Sequence, residues 1–122
     1  MNIAIDLDGP LFKLYWTEEN IGDYDNEMFG SPVVGAADAM RELRAAGHRI
    51  IIHTCRTNEE LNPYKSEDEL RANVANALSN AGIEFDEIWT GMGKPIAHMY
   101  IDDRAKMFHS WIQILAEIRD DV

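Results

Sequence analysis

An apolar run, Ile3-Ala4-Ile5, stops at two carboxylates one residue apart, Asp6 and Asp8, and Gly9-Pro10 then turns the chain away. Short continuous apolar runs are the mark of strands buried inside a parallel sheet. Open α/β sheets bind their ligands just beyond the carboxyl ends of such strands. A core strand gains no stability from two acids at its tip, because burying unpaired charge is costly. Asp6 and Asp8 therefore call for a metal ion, a substrate or both.

The rest of the chain supplies a frame for that strand. Residues 2–6 form the first strand, and residues 11–32 are irregular, with Tyr15, Trp16, Tyr24 and Phe29 among acids and glycines. The spacing of Ala37, Met40, Leu43 and Ala46 predicts a helix over 34–46 that Gly47 ends. Arg49 to Thr54 is a second strand around Ile50-Ile51-Ile52. Ser66-Glu67-Asp68-Glu69 has the form of a capping box. It opens a helix to about Ala81 with Leu70, Val74, Ala77 and Leu78 inward. Phe85–Trp89 and Ala97–Ile101 read as third and fourth strands. A last helix over 105–119 is expected to bury Phe108, Trp111, Ile112, Leu115 and Ile118. Strands alternating with helices predict an α/β fold, a mostly parallel central sheet sandwiched in three layers.

Composition narrows the class. A chain of 122 residues with 46% hydrophobic content suits one domain, 1–122, with its own core. A formal net charge of −11 repels nucleic acid and anionic membranes, and there is no run of Lys or Arg to offset it. No apolar stretch reaches the length of a membrane span. The N-terminus lacks the order of charges and apolar residues of a signal peptide. The single cysteine, Cys55, excludes an internal disulfide and fits a reducing compartment, so a cytoplasmic location is expected.

Four features fall at or beyond strand ends: Asp6 and Asp8, Thr54, Lys94, and the pair Asp102-Asp103. In a parallel sheet these ends share one edge. Carboxylates crowded there repel one another, and a divalent cation resolves the conflict. All-oxygen ligands point to Mg²⁺. A hydroxyl and a lysine beside such acids make a site for a phosphoryl group.

In this order, and on these elements, Asp6-Leu7-Asp8-Gly9, Thr54, Lys94 and Asp102-Asp103 resemble the motifs of the haloacid dehalogenase (HAD) superfamily. The resemblance spans residues 3 to 104. It implies a Rossmann-like core and a Mg²⁺-dependent phosphatase working through an aspartyl-phosphate. Asp6 matches the nucleophile and Asp8 the general acid and base. Asp6, the Asp8 carbonyl and Asp102 match the Mg²⁺ ligands, with Asp103 bound through water or orienting its neighbour. Thr54 and Lys94 match the groups that bind the phosphoryl oxygens.

The chain also departs from the pattern. Residues 11–33 and 57–93 leave no room for a large cap domain, though 11–33 could form a small flap. The connection from Lys94 to the fourth strand is too short for the helix usual there, and Pro10 replaces a commoner threonine. Arg56 pairs either with substrate phosphate or with a surface acid, and Asp103 has two compatible readings, a metal role or the N-cap of the last helix. His53 reads as a packed strand residue. A small phosphorylated metabolite is the expected substrate, with a homo-oligomer as one way to cover an open site. Two other classes fit parts of the pattern: a phospho-accepting receiver-like domain, and a HAD fold that binds without catalysis. In receivers, however, the adjacent acidic pair comes first and the acceptor aspartate stands alone on a later strand.

Overall fold

The computed structural model describes residues 1–14, 28–62 and 64–120. Four strands form one all-parallel sheet: β1 (Asn2–Asp6), β2 (Arg49–His53), β3 (Glu87–Ile88) and β4 (Met99–Ile101), in the spatial order β3-β2-β1-β4. Among the described residues three α-helices accompany them: α1 (Ala36–Ala45), α2 (Glu67–Asn80) and α3 (Trp111–Asp120). The expected α/β fold is present, and no cap domain occurs among the described residues. The third and fourth strands are shorter than their apolar runs suggested. No described helix is long and apolar enough to cross a membrane.

Register explains the core. Ile3 lies beside Ile50 and Ile5 beside Ile52, so these four side chains share one face. Met40 of α1 and Val74 and Leu78 of α2 join them in a single buried cluster. α1 follows Gly35, whose φ of 89° suits glycine. α2 starts where Ser66 caps it, its hydroxyl accepting the Glu69 N–H at 3.2 Å. The opposite face carries Ala4 and Ile51, both buried, with Tyr100 beside Ala4.

The base of the 11–33 segment is clasped to itself. The Lys13 N–H donates to the Ser31 carbonyl and the Val33 N–H to the Leu11 carbonyl, each at 2.8 Å. Tyr15, Trp16 and Tyr24, and with them most of the expected flap, lie outside the described residues.

The C-terminal helix corrects the sequence reading. It begins at Trp111, six residues later than expected, because Ser110 and not Asp103 caps it: the Ser110 hydroxyl accepts the Gln113 N–H at 3.2 Å. Its apolar stripe is also not buried. Trp111 is 69% exposed and Ile112 85%. Phe108, Leu115 and Ile118 are about half exposed too. Helical periodicity says which residues share a face; it cannot say which surface covers that face.

The two isoleucine environments predict opposite mutational costs. Ile52→Ala should lose about 2–5 kcal/mol in urea unfolding, whereas Ile112→Ala should change stability by less than about 0.5 kcal/mol. A core-sized loss at Ile112 would mean that α3 is packed after all.

Candidate active site

Parallel alignment brings the strand ends to one edge. Asp6 ends β1 and lies beside His53, the last residue of β2. Asp102 follows β4 directly. As a result Asp6, Asp102 and Asp103, nearly a hundred residues apart in sequence, each offer a carboxylate oxygen within 4.8 Å of the others. Such a trio can hold a hard divalent cation.

Backbone geometry makes room for it. Gly9 has φ 113°, a value that side-chain-bearing residues rarely adopt. A Cβ placed there would overlap the Asp103 carboxylate. Glycine at this turn therefore does two things: it lets the chain leave β1 sharply, and it admits Asp103 beside the strand tip. Main-chain N–H groups settle the other acids, Leu7 donating to Asp6 Oδ1 at 3.0 Å and Arg104 to Asp102 Oδ1 at 2.8 Å.

The electrostatics show how crowded the site is. Burial first, then the Asp102 charge, push the Asp6 carboxyl up to about 7, against the pull of the Leu7 N–H; Asp8 and Asp103 add to the rise. Burial and the nearby Lys94 hold His53 below the usual histidine range, which favours its neutral form. A cleft of about 850 Å³ opens beside these groups, lined among others by Asp6, Thr54, Glu60, Trp89, Met92 and Asp102.

Each residue singled out in the sequence has a definite place. Thr54 follows β2 directly, is buried and faces the cleft, and its hydroxyl accepts the Arg56 N–H at 3.2 Å. The side chain of Asp8 is not one of the clustered acids. Both its oxygens accept from Arg56, whose Nε and Nη2 lie 2.8 and 3.0 Å away. Arg56 is fully buried, and its guanidinium carbon sits 4.2 Å from the centre of the Phe29 ring. Lys94 is exposed and rests its ammonium 3.8 Å from the Tyr100 ring centre, on the sheet face that carries Asp6. No helix intervenes between Lys94 and β4, as the short connection required.

No protein-family model matches the chain, and no curated protein matches it significantly. Solved structures do. A conserved protein from Bacteroides thetaiotaomicron is 23% identical, with a TM-score of 0.55, covering 100% of this chain and 92% of that one. A protein from Vibrio cholerae is 20% identical, with a TM-score of 0.52, over 99% and 98% of the two chains. At these identities the likeness establishes the fold. A D,D-heptose 1,7-bisphosphate phosphatase from B. bronchiseptica, complexed with magnesium and phosphate, overlaps more loosely, at 17% identity and a TM-score of 0.46 over 99% of this chain and 64% of that one. A likeness this loose carries neither fold nor function across.

Two features of the site escaped the sequence. Trp89 and Met92 form part of the cleft wall, although only Trp89 belonged to an expected strand. The partner of Arg56 was not foreseen either. No local signal marks it: the pairing follows from the register that sets Asp6 beside His53 and runs the two strand-end loops side by side.

The raised Asp6 carboxyl sets a pH dependence. Its value moves from 3.8 unfolded to about 7 folded, so folding strengthens its hold on the proton. Its cost to stability is absent below the unfolded value, grows as pH rises, and is complete above about pH 7. Solvent screens part of this repulsion, so in chelator Asp6→Asn should melt about 4 °C above the parent at about pH 8 and level with it at about pH 4. Thermal melts at the two pH values check this, and a gap at low pH only would reverse the assignment.

Proposed function

We propose that the protein is a capless, HAD-like phosphatase that hydrolyses a phosphomonoester through an aspartyl-phosphate on Asp6. The meeting of Asp6 with Asp102 and Asp103 at the mouth of a cleft that Thr54 also lines carries this reading. Three acids this close carry a charge surplus, and a carboxyl pushed up to about 7 is what such a site shows without a cation. The residues thus fit a metal ion: Asp6 and Asp102 would hold Mg²⁺ with the Asp8 carbonyl, and Asp103 would stand at its edge. When bound, the ion cancels the repulsion between a carboxylate nucleophile and an anionic phosphate.

The residues divide the chemistry. An oxygen of Asp6 attacks phosphorus as the bond from phosphorus to the ester oxygen breaks. Asp8 gives its proton to that departing oxygen, and the alcohol leaves. The ionised Asp8 then takes a proton from water, whose oxygen attacks phosphorus. The bond to Asp6 breaks, inorganic phosphate departs, and both aspartates are restored. Thr54 would donate its hydroxyl to the phosphoryl oxygens. Lys94 would bring its charge to them by leaving the Tyr100 ring, a contact of modest strength at an exposed site.

The size of the cleft suits a small phosphorylated metabolite. Strand order speaks against the receiver-like alternative. Receiver domains arrange their strands 2-1-3-4-5, with the third beside the first. Here β3 lies beyond β2, and β4 is the neighbour of β1.

Nitrophenyl phosphate hydrolysis should require Mg²⁺ and fall at least about a thousandfold in Asp6→Asn. Lys94→Ala should lose about a hundredfold in kcat/KM. Independently of turnover, Mg²⁺ at a hundred times its Kd should stabilise the parent by about 2.7 kcal/mol, and Asp102→Asn should lose most of that gain. Full turnover by Asp6→Asn, or undiminished turnover in chelator, would end the proposal. A panel of phosphorylated metabolites, peptides and nucleotides ranked by kcat/KM would identify the substrate class.

A further inference from the structure

Arginine is almost never fully buried unless it is paired, and Arg56 has no exposed surface at all. Among the described residues it is paired with Asp8, the carboxylate that the phosphatase reading makes the proton carrier. The contact is a side-on fork, with Nε to Asp8 Oδ2 at 2.8 Å and Nη2 to Asp8 Oδ1 at 3.0 Å. The fork is itself held from two sides. Phe29 packs against the guanidinium face, and the Arg56 main chain is tied to the Thr54 hydroxyl.

A carboxylate bound at one oxygen can still swing about its side-chain bonds. Two parallel bonds to a rigid, planar guanidinium remove that freedom. Each carboxylate oxygen keeps a second lone pair, so the fork leaves sites for the proton and for a substrate or water oxygen. This geometry differs from that of a phosphate-binding arginine. The guanidinium is enclosed, its fork is committed to Asp8, and Phe29 covers it.

We propose that Arg56 is a positioning residue: its fork sets the plane and direction of the Asp8 carboxylate, and thereby the line along which Asp8 passes its proton to the leaving oxygen. The inference rests on the phosphatase reading and adds to it a residue that acts through Asp8 without touching the phosphoryl group. Phe29 extends the same chain of support one step further.

Leaving-group dependence tests it. Phenyl phosphate and nitrophenyl phosphate have nearly the same shape, but only the first needs a proton as its oxygen departs. In Arg56→Lys, which keeps the charge and loses the fork, kcat/KM should fall about a hundredfold for phenyl phosphate and less than about tenfold for nitrophenyl phosphate. The inhibition constant of inorganic phosphate should stay unchanged. In an Asp8→Asn background the same substitution should cost nothing further. Phe29→Leu, which leaves the fork in place but unsupported, should show the same selectivity at about a tenth of the size, and it decides the matter if Arg56→Lys does not fold. Equal losses on both substrates with weakened phosphate inhibition would make Arg56 a phosphate ligand and overturn the inference, as would losses that add to those of Asp8→Asn. A parent protein that turns over neither ester would instead overturn the phosphatase reading beneath it.

Discussion

Like charges held together against their repulsion are the constraint on which the rest of this structure depends. Asp6, Asp102 and Asp103 sit within 4.8 Å of one another because β1 and β4 run parallel and end at the same edge. The cost is visible in Asp6, whose carboxyl holds its proton far above the ordinary aspartate range. The free energy to maintain such a site comes from elsewhere. The face carrying Ile3, Ile5, Ile50 and Ile52 packs on α1 and α2, and burial of this apolar surface holds the strand tips where they are. Core and site are thus two ends of one set of strands: apolar in the middle, acidic at the tip.

The loops after β1 and β2 divide the acids into two electrostatic environments. Asp6 faces other carboxylates and an open cleft. Asp8, two residues on, is buried against a guanidinium. This separation places two chemically identical side chains in different surroundings, one crowded by carboxylates beside a cleft and the other held in a guanidinium fork. Breaking a buried pair of this kind leaves an uncompensated charge. The Asp8–Arg56 contact therefore also ties the first loop to the second. Gly9 completes the arrangement, because only a residue without a side chain lets Asp103 approach β1 from the far end of the chain.

Local patterns foretold the parts of the fold that local physics controls. Ile3-Ala4-Ile5 and Ile50-Ile51-Ile52 became the two central strands, and Ser66 capped its helix as its spacing with Glu69 implied. The acids at the tips of β1 and β4 could be named from sequence, because a polar residue ending an apolar strand has no structural motive. The failures have a shared cause. The stripe on α3 was read correctly as a stripe and wrongly as core, since nothing local distinguishes a covered face from an open one. The onset of α3 was misplaced because Asp103, a plausible cap, is drawn into the acidic cluster and Ser110 caps the helix.

By itself the sequence determined the strand and helix inventory, the parallel sheet those elements imply, and the identity of the acids, hydroxyl and lysine at the strand ends. These follow from periodicity and from the poor fit of charge to a strand tip, which need no knowledge of distant residues. Only the tertiary structure decided the neighbours: Arg56 with Asp8, Asp103 against Gly9, Lys94 on Tyr100, and β4 beside β1. Such contacts join residues up to nearly a hundred positions apart. Their geometry depends on the register and crossing of whole strands, information carried by packing and by no single stretch of chain.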